Sequence, residues 1–365
     1  MEAIKIYWAR TNQICDVQRF IDTYWRKGHI LSRDAELLKW QYPFLEDNSL
    51  MSIVLAEING EIAGLLGVIP CKFNTGDIVV QGGILALWLV RSEFRNQSVG
   101  RSMLDWVQGE GVKFIGVEGY NERTVGIYKR LQSYIAPTLP RLIGVIDGKA
   151  CQEFLERNSS FQSHVVISKI INRQSSYDVS GYKSINWECG LSEKWDSFIK
   201  LQNIKGPIRD SAFIQWRYIN HPKYKYEVRC VCDEDNNIHG IVVWRIISIK
   251  DSSDTIFRIT EFLWDDAVAG RFLADFTIND AFQSDVLFAD FYNLTGCKAE
   301  PFIERGFFVD KEVLFPKYFS PLDFTQRTIP SAFSLIGLTE SQNVNYFTNP
   351  DIYLTIADGD QDRPS

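Results

Sequence analysis

One ten-residue stretch occurs twice in this chain, and it constrains the fold more than any other feature. Residues 33–42 read RDAELLKWQY and residues 209–218 read RDSAFIQWRY, so Arg, Asp, Trp and Tyr recur on the same four positions. The offset is constant, since 209 − 33 and 216 − 40 both give 176. The match extends outward. SIVLAEINGEIAGLLGVIP reads as two strands around the turn Asn59-Gly60. YEVRCVCDEDNNIHGIVVWRI repeats that pattern, with Gly64 and Gly240 again 176 apart. Further on, FIGVEGYNERT and VLFADFYNLTG are each an apolar strand ending in an acidic residue, a spacer and Tyr-Asn: Glu118, Tyr120 and Asn121 against Asp290, Tyr292 and Asn293. Upstream, IKIYWART with DVQRFIDTYW mirrors YKSINWEC with EKWDSFIKLQ, a strand and then an amphipathic helix.

Segments that return in the same order imply two like units. The 365 residues leave room for two domains, at roughly 100–200 residues each. With 45% apolar and 23% charged residues, either unit has the material for a core. Strands and helices alternate around an early hairpin, which predicts an α+β unit: a mixed, mostly antiparallel sheet flanked by helices. The Ser/Asn-rich stretch near 158–180 reads as the junction. The units expected are therefore 1–160 and 161–320, followed by a tail, 321–365. Trp40, Tyr42, Trp216 and Tyr218 read as core residues, and their i, i+2 spacing sends Trp and Tyr to different neighbours.

Charge excludes one class of partner. A net charge of −7 and no Lys/Arg-rich run are unlike a nucleic-acid surface. The N-terminal stretch lacks a basic start with a continuous apolar core, and no stretch reaches the roughly 18 apolar residues of a membrane span. A cytoplasmic protein without membrane insertion is expected. Seven scattered cysteines and four scattered histidines predict neither a disulfide framework nor a metal site. His29, His164, His221 and His239 are expected at the surface. The tail YLTIADGDQDRPS is expected as a solvated acidic terminus, since Asp358, Asp360 and Asp362 lack the twelfth-position glutamate of a calcium loop, with ordering against an acceptor site as the alternative.

The copies differ where a ligand could bind. In the first, the strand ILALWLV runs into RSEFRNQSVGRSMLDWVQ, where small residues open a helix with Arg95 and Arg101 beside them. Backbone N–H groups at such a start hold phosphate. In the second, Asp265 and Asp266 stand in the same place and repel it.

The loop RNQSVG resembles the pyrophosphate-binding pattern [QR]-x-x-G-x-[GA] of the GNAT superfamily of acyl-CoA N-acyltransferases, with Ser98 where the family usually has glycine. Asn121, followed seven residues later by Tyr128, matches a second element, and FIERGFF in the second unit is similar to the family's closing segment. The resemblance implies two tandem GNAT-like domains, of which the first binds acyl-CoA as co-substrate through Leu89, Val90, Arg95, Asn96, Gln97, Ser98, Val99, Gly100, Arg101 and Asn121. No bound cofactor is implied. It implies Tyr128 as the acid at the coenzyme A sulfur, with Glu118 the first choice for the base and Tyr120, Asp290 and Tyr292 on the acceptor side. Within the tandem group, the chain looks most like bacterial enzymes that acylate nucleotide-linked amino sugars for surface polysaccharides.

Overall fold

The computed structural model describes residues 3–44, 46–158, 170–171, 181–310, 315–316, 321–323 and 329–364. Most of the expected junction, and His164, lie outside the described residues.

Two mixed sheets form, as the alternation predicts. In the first, β1 (Lys5–Arg10), β2 (Leu50–Ile58), β3 (Glu61–Asn74) and β4 (Val79–Val90) make an antiparallel meander, and β5 (Phe114–Glu118) runs parallel to β4. The short β6 (Tyr134–Ala136) closes it. In the second, β8 (Lys183–Asn186), β10 (Glu227–Cys232), β11 (Ile238–Ser248) and β12 (Thr255–Trp264) repeat the meander, with β13 (Phe288–Tyr292) parallel to β12 and β14 (Phe308–Val309) at the far edge. Both hairpins fall where the turn residues put them. At the first, Asn59 and Gly60 take φ of 53° and 81°.

The sheets do not divide at the expected junction. β7 (Arg141–Val145), from the first half of the chain, lies between β13 and β14 in the second sheet. β15 (Ser331–Leu335), from the expected tail, lies between β5 and β6 in the first. The two-residue β9 (Gly206–Pro207) also crosses over, to pair with β3. Each sheet is completed by a strand from the other half. Sequence order does not say which edge it joins.

Helices cover both sheets. The first unit carries α1 (Ile14–Tyr24), α2 (Ile30–Arg33), α3 (Ala35–Gln41), α4 (Val99–Gly109) and α5 (Val125–Arg130). α6 (Gly148–Asn158) follows β7. The second carries α7 (Ser192–Gln202), α8 (Ser211–Ile214), α9 (Ala267–Gln283) and α10 (Glu300–Glu304), and α11 (Glu340–Phe347) returns to the first sheet. α4 buries Val99, Met103, Leu104 and Val107 against β2–β4, an i, i+4, i+5, i+8 stripe. Each such side chain contributes about 1.5–3 kcal/mol. No described helix is long and apolar enough to cross a membrane.

The repeated decapeptides meet. Asp34 caps α3 by accepting from the Leu37 N–H at 2.9 Å, and Asp210 caps α8 by accepting from the Phe213 N–H at 2.8 Å. Tyr42 and Tyr218 are buried in their own units. Trp40 Nε1 donates to the Trp216 carbonyl and Trp216 Nε1 to the Trp40 carbonyl, both at 2.9 Å, with the rings stacked 5.5 Å apart. Such reciprocity is the signature of a two-fold contact. The motif is thus both a pair of caps and the joint between the units.

The acidic tail is buried, not solvated. Ile352, Tyr353, Leu354 and Ile356 are each 0% exposed. Asp358 pairs with Arg209 at 2.8 Å and Asp362 with Arg245 at 2.6 Å. Its complement is a set of arginines distant in sequence, so the tail's acidity is not that of a free terminus. His29 and His221 are also buried, contrary to expectation. His29 Nδ1 accepts from the Leu31 N–H and His221 Nδ1 from the Lys223 and Tyr224 N–H groups. Burial, then nearby arginines, holds both rings neutral with pKa about 3. His239 is partly exposed, 3.0 Å from Asp265 and 3.6 Å from Asp266.

Candidate active site

The pairing of the parallel strands ends early. β4 and β5 are in register from Gly82↔Phe114 to Leu85↔Val117, and beyond Leu85 the described pairing of β4 is with β3 alone. A bulge marks the separation. Leu65 pairs with Leu89 and Gly67 with Ala86, so Leu87 and Trp88 stand opposite Leu66 alone, and Leu87 takes φ 54°. This bulge is not legible in ILALWLV, because nothing in a run of apolar residues announces a left-handed backbone. Leu89 and Val90 follow it at the strand end, where Arg95 Nε donates to the Val90 carbonyl at 3.2 Å.

The loop after β4 is open to solvent. Ser92–Gln97 is a 3₁₀ turn, and Arg95, Asn96, Gln97 and Ser98 are all exposed. Ser98 has φ 60°, ψ 15°, the left-handed conformation that the glycine usual at this position adopts freely, and as N-cap of α4 it offers no side-chain cap. Val99 is buried, leaving only its backbone for a ligand. Gly100 packs closely on β4: a Cβ there would stand 3.2 Å from Trp88 Nε1 and 3.4 Å from Val90 Cγ2, so the indole would have to give slightly. Arg101 does not face the loop freely, because it pairs with Asp105 one turn on, at 2.6 Å.

The second unit has the same architecture with the opposite chemistry. β12 and β13 pair only from Phe257↔Ala289 to Ile259↔Phe291. Asp266 caps α9, accepting from the Val268 and Ala269 N–H groups at 2.9 and 3.0 Å. That helix start is satisfied by its own carboxylate. Past the end of pairing, the tail enters: the Phe262 N–H donates to the Tyr353 hydroxyl at 2.9 Å, and Leu294 N–H donates to the Leu354 carbonyl at 2.9 Å. Tail atoms occupy this second parting of strands.

Around the first parting, side chains approach from two faces. Tyr128 on α5 is 3% exposed, in the cluster that also holds Val117 and the inner face of α4. Its ring centroid lies 5.0 Å from that of Tyr120 and 6.4 Å from that of Trp88. Burial pushes its hydroxyl up to about 12. Asn121 Oδ1 accepts from the Arg123 N–H, and its carbonyl accepts from Thr124 Oγ1, fixing the turn into α5.

Glu118 ends β5, next to Val117 and so on the opposite face. It is 4% exposed, and among the described residues neither carboxyl oxygen has a hydrogen-bond partner. Burial, then the charges of Asp358 and Asp360, raises its pKa well above the carboxylate range. Tyr128 and Glu118 therefore flank the same strand end from the two sides of the sheet.

Two acceptor-side expectations meet different surroundings. Asp290 is 0% exposed and clamped by Arg141 at 2.8 Å and Arg258 at 2.7 Å. The arginines offset its burial and hold its pKa below the ordinary value, so it has no free oxygen to offer an acceptor. Tyr292 is 1% exposed, its ring below both guanidinium groups. Tyr120 is only half-buried beside Tyr128. Sequence reasoning missed Trp88 and the tail residues Gly359 and Gln361. The tail was read as solvent-facing because its acidity was visible and its partners were not.

Residues 15–134 match the Acetyltransferase (GNAT) family. No curated protein sequence matches the chain. Among solved structures it is similar to a GCN5-related N-acetyltransferase from Anabaena variabilis, with TM-score 0.60 and 11% identity over 93% of this chain and 74% of that one. A probable N-acyltransferase from Enterococcus faecalis is similar with TM-score 0.55 and 11% identity, over 95% and 74%. N-myristoyltransferase from Saccharomyces cerevisiae, with bound myristoyl-CoA, aligns with TM-score 0.53 and 9% identity over 91% and 82%. Identities this low speak for the fold, which they extend over almost the whole chain. Residues 15–134 thus match the GNAT acetyltransferase family, and the chain as a whole shares the fold of these N-acyltransferase structures.

Proposed function

We propose that the chain transfers an acyl group from acyl-CoA to the amine of a nucleotide-linked amino sugar of the dTDP-amino-dideoxyhexose type, for surface polysaccharide synthesis, with an acetyl or short hydroxyacyl donor. The observation that carries the donor side is the contrast between helix starts: α4 begins at a left-handed Ser98 without a side-chain cap, whereas α9 is capped by Asp266. An uncapped helix start beside Arg95 suits a pyrophosphate. The thioester then lies along the parting of β4 and β5, its carbonyl within reach of the backbone near Leu89 and Val90 as an oxyanion contact.

In this reading the amine attacks the thioester carbon, the C–N bond forms and the C–S bond breaks. Tyr128, protonated throughout the working range, gives its proton to the leaving thiolate, and Glu118, from the other face, takes the proton the amine loses, directly or through water. The acceptor class rests on the tandem arrangement and on the resemblance of the repeated element.

A thermal-shift screen of acetyl-CoA and short hydroxyacyl-CoAs, crossed with dTDP-amino-dideoxyhexoses, tests it, because ligands of the native state raise the melting point. Mass detection of the N-acylated nucleotide sugar is expected. Product formed only from a peptide, an aminoacyl group or a small metabolite amine would move the acceptor while keeping the reaction. No acyl transfer with any amine, despite acyl-CoA binding, would favour a non-catalytic acyl-CoA-binding protein.

A further inference from the structure

We propose that the C-terminal segment Asp358–Gln361 is part of the acceptor side of the active site, a positioning element that holds the Glu118 carboxyl dry and in place. The inference rests on the reading of Glu118 as proton acceptor. Three contacts fit the segment to the end of β5. Gln361 Nε2 donates to the Glu118 carbonyl at 3.0 Å. A Cβ on Gly119, which has φ 71°, would meet that same amide nitrogen at 2.9 Å. A Cβ on Gly359 would stand 2.5 Å from Glu118 Oε2, so the bare tail backbone lies directly against the carboxyl.

The segment is fixed at both ends. Asp358 is held by Arg209 and Asp362 by Arg245, all four side chains buried. These pairs keep the tail over Glu118 although nothing in the segment bonds to the carboxyl oxygens themselves. The charged groups facing Glu118 are Asp358 and Asp360 from the tail and Arg217 and Arg209 from the second unit. Burial and the two aspartates favour the protonated form, and the arginines oppose them. A carboxyl enclosed in this way binds a proton more tightly than a hydrated one, which suits a group that must take one from an amine.

Infrared difference spectra of the full-length protein, wild type minus Glu118→Gln, isolate the Glu118 carboxyl stretch and allow its titration without any acceptor. Glu118 is expected to titrate above the ordinary carboxylate range in the wild type and to accept the amine's proton in its deprotonated form. In Gly359→Val and in Gln361→Leu it is expected to titrate at least about one pH unit lower. Turnover of acetyl-CoA with a dTDP-amino-dideoxyhexose is expected to fall about tenfold or more, while calorimetry with acetyl-CoA shows unchanged affinity. Gln361→Leu adds no atoms at the carboxyl and carries the test where Gly359→Val does not fold. A Glu118 titration unchanged in a folded variant overturns the inference. Failure of the underlying reading looks different: the tail variants shift the titration, yet Glu118→Gln turns over like wild type. That outcome removes the catalytic role and supports the sealing.

Discussion

Tyr128, 3% exposed with a hydroxyl raised to about 12, keeps its proton throughout the working range. Tyr128→Phe removes the oxygen and little else. Turnover is expected to fall by about 10²–10⁴-fold, the usual worth of a general acid, with acetyl-CoA affinity by calorimetry unchanged. The buried histidines carry a separate prediction. His29 is held at about 3 against 6.5 when unfolded, so between these values the unfolded chain binds the extra proton and stability rises with pH. Glu118, with a raised pKa, contributes in the opposite sense, so the histidine is best isolated as a difference. Relative to His29→Asn, which accepts hydrogen bonds but cannot charge, the wild type is expected to lose about 1.4 kcal/mol per pH unit below pH 6.5. Urea midpoints from pH 7 to 5 measure it. Neither environment was legible locally: Tyr128 was found by its spacing from Asn121, whereas a histidine's burial depends on residues such as Arg363, which approaches His29 from across the molecule.

At the scale of elements, two helices with the same place in the fold have different first turns. α4 starts at an exposed, left-handed serine and α9 at a capping aspartate. That difference could be read from RNQSVG against WDDAVAG, because capping and anion binding use the same backbone N–H groups. The bulge at Leu87 and Trp88 could not. Gly100 joins the two elements, since its missing Cβ lets α4 pack on Trp88 and Val90. Gly100→Val is therefore expected to push the helix start off the strand and weaken acetyl-CoA binding about tenfold or more, at a cost of about 1–3 kcal/mol in stability from overpacking. Calorimetry and chemical unfolding of the same variant read both.

For the whole molecule, the halves are exchanged rather than adjacent. β7 completes the second sheet and β15 the first, and the tail threads on between the units to end against Arg209, Arg245 and His29. A fragment ending at residue 160 lacks β15 and carries β7 with no sheet to join. It is expected to be largely unfolded by circular dichroism, whereas co-expressed fragments 1–160 and 161–365 recover the native spectrum. A fragment 1–160 that folds alone and binds acetyl-CoA would show that β15 is dispensable.

The sequence by itself determined the duplication, the α+β class, the positions of both hairpins and the difference in capping between α4 and α9, because caps, turns and strand periodicity are local and repeat where the residues repeat. The tertiary structure alone decided which sheet received β7 and β15, where the acidic tail went and which carboxylate was left free. Glu118 and Asp290 are equivalent in sequence, yet Asp290 is neutralised by Arg141 and Arg258, while Glu118 faces tail aspartates and has no direct partner among the described residues. The energy of a buried charge is set by what lies within a few ångströms of it, and those neighbours come from the far end of the chain.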